Sequence, residues 1–128
     1  MSTPWAEDIL DKADLVLPIP LSAQRLALRG YNQSWELAKQ LSPFRADVQM
    51  LLRTRDTPSQ RQLPRPERLA NLLGAFAVEP LRAAQLRGKR VVLVDDVMTT
   101  GASLHMAARV LRQAGAVHIS ALVLARTE

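Results

Sequence analysis

The stretch VVLVDDVMTTGAS, residues 91 to 103, decides how this sequence folds. Val91 to Val94, entered from Arg90, are all apolar and mostly β-branched, the pattern of a short strand covered on both faces. A turn is predicted over Asp95 to Gly101. A helix is predicted over Ser103 to Ala114, because Leu104, Ala107, Ala108 and Leu111 fall on one stripe. Gly115 stands where a helix is commonly stopped by a left-handed residue. Val117 to Ala125 is a further apolar run, read as a strand. Strand, helix and strand joined by short connections form a βαβ unit, and such units imply a parallel sheet. The expected fold class is therefore α/β, an open and mainly parallel sheet flanked by helices. In such sheets ligands bind at the carboxyl ends of the strands.

The same stretch carries the chemistry. Thr99, Thr100, Gly101, Ala102 and Ser103 follow a strand and open a helix, so their successive N–H groups can turn toward one point. The positive end of the helix dipole adds to them, and the hydroxyls of Thr99, Thr100 and Ser103 can donate further bonds. Gly101 permits the close backbone approach that a phosphate requires. Asp95 and Asp96 lie just before this cradle. Adjacent carboxylates repel and need donors or cations to stay ionised. Vicinal sugar hydroxyls, with Mg²⁺ beyond them, meet that need. A phosphate bound beside a diol describes a ribose 5-phosphate.

Working outward, Thr3-Pro4 followed by Trp5 to Leu10 reads as a short capped helix. Leu15 to Ile19 reads as a buried strand. Pro20 to Tyr31 shows no clean period and is expected to be a loop carrying Arg25, Arg29 and Gly30. Asn32 to Leu41 reads as a helix with Trp35, Ala38 and Leu41 on one side. A second strand is expected over Val48 to Leu52. Arg53 to Arg68 then holds five arginines and three prolines with little apolar content. Long structureless segments in small domains are usually functional. Glu67 to Leu72 reads as a helical turn, Gly74 to Val78 as a short strand, and Leu81 to Leu86 as a helix or turn ending at Gly88.

Composition limits the alternatives. A length of 128 residues suits one domain, taken here as 1–128. Hydrophobic residues make up 48 %, too many for a disordered chain, whereas aromatics are only 4 %, so the core must be aliphatic. Cysteine is absent, which excludes disulfides and thiolate metal sites and fits a cytoplasmic protein. No apolar run reaches the roughly 20 residues of a membrane span. The formal charge is +5, and most of the 17 basic residues are arginine, whose planar fork suits phosphate.

At this point the residues meet a family. The 91–103 stretch resembles the signature of type I phosphoribosyltransferases at all thirteen positions: four apolar residues, two acids, two apolar residues, two hydroxyl residues, Gly, any residue, then a hydroxyl residue. VLPIPLSAQRLALRGYNQSWELAKQL (16–41) and RTRDTPSQRQLPRPERLANLLGAFAV (53–78) resemble segments of the ComF family, named for a competence protein linked to DNA uptake. The resemblance implies the phosphoribosyltransferase fold and Mg²⁺-dependent binding of phosphoribosyl pyrophosphate. It places ribose 5-phosphate on residues 95 to 103. It assigns pyrophosphate to the loop after the first strand, with Arg25, Arg29 and Gly30. It makes 53–68 a mobile catalytic lid, from which Arg61, Arg65 or Arg68 closes over the pyrophosphate. Asp95, Asp96 and Arg61 are thus the expected catalytic residues. No protein-held metal cage is expected; Mg²⁺ would arrive with the substrate and keep several waters.

Many members of that family begin with a cysteine-rich zinc module, which this cysteine-free sequence does not contain. Candidate partners are a homodimer mate, single-stranded DNA bound through the arginines near residue 61, and competence proteins. Two readings compete. One is an enzyme transferring a phosphoribosyl group to a small nitrogen acceptor. The other is a non-catalytic accessory protein that binds nucleic acid or senses the metabolite. His105, His118, Trp5 and Trp35 are read as structural.

Overall fold

The computed structural model describes residues 9–21, 23–53, 76–98 and 101–126, with backbone alone at 23–25, 96–98 and 125–126. Strand β1 is Leu15–Pro18, helix α1 Ala23–Arg29 and helix α2 Gln33–Leu41. Strands β2 (Leu51–Arg53) and β3 (Phe76–Val78) follow, then a 3₁₀ turn over Ala83–Leu86. The chain ends with β4 (Arg90–Met98), α3 (Ala102–Gln113) and β5 (His118–Arg126). The described strands form a parallel three-stranded sheet in the order β1-β4-β5 and an antiparallel pair β2-β3. β4, α3 and β5 are the expected βαβ unit, and the α/β class is as the sequence implied.

The central strand explains why the sheet is stable. Val91 to Val94 are each 2 % exposed or less, and they alternate between two cores. Val91 and Leu93 pack with Leu17, Leu86, Leu104, Ala107 and Leu111 beneath α3. Val92 and Val94 pack with Leu10, Ala13, Val16 and Ala38 beneath α2. The period-2 geometry of a strand sends successive side chains to opposite faces, so a run with no polar residue is what two covered faces require. Each such side chain contributes about 1.5–3 kcal/mol of burial. Trp35 packs against the second core, as read from its helical spacing.

α3 ends as Gly115 implied. The Gly115 amide donates to the Arg112 carbonyl (3.0 Å) and the Ala116 amide to that of Leu111 (3.1 Å). This pair closes the last turn in a Schellman motif. α2 begins on Asn32, whose side chain caps it.

Three expectations need correction. The segment 20–31 is not a loop throughout, since Ala23–Arg29 is helical. Its residues are Ala, Gln, Arg and Leu, all strong helix formers. The helix lies at the surface, with Leu28 82 % exposed, so burial imposed no apolar period on it. Asp95–Gly101 is not a turn from its start either, because β4 runs on to Met98. Its parallel partner extends equally far, with Val97 opposite Ala125 and Met98 opposite Arg126. The neighbour's ladder satisfies backbone groups that a lone strand would have to turn away. The strand expected at Val48–Leu52 begins only at Leu51. Ahead of it, the Asp47 carboxylate accepts from the Gln49 amide (2.8 Å) and folds the chain into an Asx turn. β2 then pairs antiparallel with β3 and stands outside the parallel sheet.

The small sheet is tied to the large one by charge. Asp47 follows the segment that bridges β1 at Ala46, and its amide donates to the Val16 carbonyl (3.0 Å). Its carboxylate receives both terminal nitrogens of Arg82, which lies between β3 and the 3₁₀ turn (2.9 Å for Nη1). The Arg82 bond, with help from the Gln49 and Met50 amides, holds the Asp47 carboxyl below the usual carboxylate range despite partial burial.

Candidate functional site

The site sits where β1 ends beside Val94 and β4 runs on past it. The ladder between them continues one step past β1, with the Ile19 amide donating to the Val94 carbonyl (2.9 Å). Asp95 is the next residue on β4. It is half-buried and paired in register with Val123 of β5. Asp96 follows on the same strand.

Gly101 opens α3 as its N-cap, with φ 80° and ψ 1°. That left-handed conformation costs a residue with a Cβ roughly 1–2 kcal/mol. Gly101 accepts the first helical bond, from the His105 amide (2.9 Å). Gly101 itself has no side chain with which to cap the helix. Ala102 and Ser103 are its first two residues, and both are half-buried. The first N–H groups of a helix have no intrahelical partner and point along its axis, favouring an anion there. His105 is exposed on the helix.

Across the same edge, α1 ends in Arg29 and then Gly30, which has φ 80°. The Gly30 amide is bonded back to the Leu26 carbonyl (2.7 Å). Gly30 therefore offers an open approach, with nothing within 4 Å of where a Cβ would stand, and not a free amide. Arg29 is exposed in the last turn of α1.

Asn32 joins these parts. Its Oδ1 accepts from the amides of Ser34 (2.9 Å) and Trp35 (3.3 Å). Its Nδ2 donates to the carbonyl of Ile19 (3.2 Å). One side chain thus caps α2 and pins it to the residue that pairs with Val94, directly before Asp95. Reading Asn32 as a helix start captured only half of this. The available signal was the residue type, because Asn, unlike Ser or Asp, caps a helix and keeps an NH₂ to donate elsewhere.

The structure thus brings Asp95, Gly101, Ala102 and Ser103 to one end of the sheet, with Arg29 and Gly30 at the end of the segment that leaves β1. Thr99, Thr100, Arg61, Arg65 and Arg68 lie outside the described residues, as do residues 54–72 of the expected lid and helical turn, whereas Arg53, the lid's expected first residue, closes β2. The side chains of Arg25 and Asp96 lie outside them too. Among the described residues no group of three or more His, Cys, Asp or Glu could hold a metal. No described helix is long and apolar enough to cross a membrane.

A parallel sheet with two acids at the end of its central strand and a left-handed glycine opening the next helix is the arrangement of a phosphoribosyltransferase fold. The backbone agrees with that of a purine phosphoribosyltransferase from Pyrococcus horikoshii (TM-score 0.51, 21 % identity), covering 97 % of this chain and 78 % of that one. The chain belongs to the phosphoribosyl transferase domain family, whose pattern matches residues 29–128. It is similar to the DNA utilization protein YhgH of Escherichia coli O6:H1, with 36 % identity over 92 % of this chain and 52 % of that protein. It is similar to competence protein F of Haemophilus influenzae, with 36 % identity over 88 % of this chain and 50 % of that protein. Competence protein ComFC of Bacillus subtilis is 35 % identical over 91 % of this chain and 46 % of its own length. The chain therefore spans about half the length of the curated relatives it matches, and the ComF resemblance of the sequence holds across most of it.

Proposed function

We propose that the chain binds phosphoribosyl pyrophosphate at the carboxyl edge of the parallel sheet and transfers its phosphoribosyl group to a small nitrogen acceptor. The observation that carries this reading is the junction of β4 and α3. Asp95 and Asp96 stand in the carboxyl half of β4, and the helix that follows this strand opens on a left-handed glycine. In this reading the 5-phosphate lies on the amides of Gly101, Ala102 and Ser103, with Thr99 and Thr100 completing the cradle. Asp95 and Asp96 accept hydrogen bonds from the ribose hydroxyls. Arg25, Arg29 and Gly30 border the pyrophosphate, and Arg61 covers it.

A single strand-end carboxylate pair suits a metal that arrives on its ligand and not one caged by protein. Mg²⁺ would supply charge neutralisation of the pyrophosphate, beside Asp95 and Asp96. The reaction forms a bond from the acceptor nitrogen to ribose C1 and breaks the bond from C1 to pyrophosphate, which departs with its electron pair. Positive charge builds on the ribose ring in between, and carboxylates fixed beside its hydroxyls stabilise it. The acceptor nitrogen gives up its proton as the bond forms. We place this activity within the competence and DNA utilization for which the relatives are named.

The test is equilibrium binding of phosphoribosyl pyrophosphate with and without Mg²⁺, combined with pyrophosphate release in the presence of ammonia or a nucleobase. Asp95→Asn and Asp96→Asn should each weaken Mg²⁺-dependent binding at least tenfold with the fold intact. Unchanged affinity in both variants would sink the diol assignment. Binding without release of pyrophosphate would reassign the chain to sensing the metabolite.

A further inference from the structure

The amino ends of the same strands form a second face. β4 rises about 3.3 Å per residue, so Arg90 lies roughly 16 Å from Asp95 along the sheet. Residues 9–14, 87–91 and 112–120 meet there. The Asp14 amide donates to the Arg90 carbonyl (2.8 Å), and the Asp14 carboxylate accepts from the Arg90 amide (2.9 Å). The Gly88 amide donates to Gly115 and the Val117 amide to Lys89, each at 3.0 Å. The stem of Arg87 crosses Gly115 so closely that a Cβ there would stand 3.0 Å from its Cγ.

These ties fix the bases of Lys12, Arg87, Lys89, Arg90, Arg112 and His118, all of them exposed. Lys12, Arg90, His118 and Ser120 also line a cavity of about 460 Å³ between residues 9–13 and the sheet. None of the three segments contains Phe, Tyr or Trp.

We propose that this edge docks the phosphate backbone of double-stranded nucleic acid. The cations stand on three separate segments and spread along a rigid edge. That distribution suits a row of phosphates better than a single anion, which needs donors converging on one point. A duplex presents one charge per about 1.7 Å of its axis, so an edge of this kind meets several phosphates at once. Sequence-tolerant binding of single strands relies on bases stacked on aromatic side chains, and this edge has no Phe, Tyr or Trp. The face is separate from the carboxyl-edge site, so its ligand and the small-molecule ligand can be held together.

The test is fluorescence anisotropy of a labelled 20-base-pair duplex and of the equivalent single strand, between 50 and 200 mM salt. Wild type should favour the duplex, with affinity falling steeply as salt rises. Lys89→Ala/Arg90→Ala should weaken duplex binding at least tenfold and reduce the salt slope by about 1.8, the value for two lost contacts. Lys89→Glu/Arg112→Glu should do the same, and thermal melts establish that both variants fold. Asp95→Asn should leave duplex binding unchanged, which separates this proposal from the phosphoribosyl reading. The proposal is overturned by duplex binding that is unaltered in both double variants, or by preference for the single strand. It is equally overturned by loss only on replacing Arg61, Arg65 and Arg68 with Ala, or by tighter attachment to phosphatidylserine vesicles than to duplex.

Discussion

The two ends of the parallel sheet share their strands but are built differently. At the carboxyl end the candidate parts are backbone amides, short side chains and glycines in left-handed conformations, and Asn32 ties α2 to Ile19 nearby. At the amino end they are long, exposed basic side chains whose backbones are tied together. The first arrangement defines points in space and suits one small ligand of fixed shape. The second defines a field and suits an extended polyanion. Preorganised donors give specificity, whereas distributed charge gives salt-sensitive affinity.

Perturbations should separate the two ends. The largest effect is expected from Leu93→Ala, which opens a cavity in the strand that both ends depend on. Leu93 is 1 % exposed, and the loss should be about 2–5 kcal/mol, read as a fall in unfolding free energy by denaturant titration. Both ligand responses should weaken together. Gly101→Ala should act at the carboxyl end alone, destabilising by about 1–2 kcal/mol through left-handed strain and weakening the phosphoribosyl ligand. Duplex binding is the control that should not move. Asn32→Asp keeps the helix-capping oxygen but removes the donor to Ile19, so a cost near 1 kcal/mol is expected. Its distinguishing sign is weaker ligand binding with α2 still helical by circular dichroism.

The smallest effect lies away from both ends. Asp47→Asn breaks the Arg82 tie between the two sheets. Because this carboxyl titrates below its ordinary value, its stabilisation is present above about pH 4 and is lost as pH falls through the lowered pKa. Thermal melts should show a drop of a few degrees for the variant at pH 7 that shrinks at acid pH as the carboxyl takes up its proton. A drop of equal size at pH 7 and at acid pH would show that the ion pair is not its source.

How much could be read in advance follows the same division. The carboxyl end was legible because Asp95 to Ser103 are consecutive, and β4 and α3 bury their apolar residues in clean periods. Helix α1 was not, because Leu26 and Leu28 are exposed and propensity alone shaped it. The length of β4 beyond Val94 was set by β5, a neighbour 28 residues away in sequence. The amino-end cations were illegible for the same reason. Lys12, Arg90 and Arg112 lie far apart in the chain, and only the parallel register of β1 and β4 and the return of α3 bring them to one edge.

The central claim is that the carboxyl edge is a phosphoribosyl site, and a thermal melt tests it most directly. Wild type and Asp95→Asn are compared with and without phosphoribosyl pyrophosphate and Mg²⁺. At a hundred times the dissociation constant the ligand should add about 2.7 kcal/mol, a rise of several degrees. The account predicts a magnesium-dependent rise in wild type that Asp95→Asn loses. No rise at millimolar ligand, or an equal rise in the variant, would contradict it.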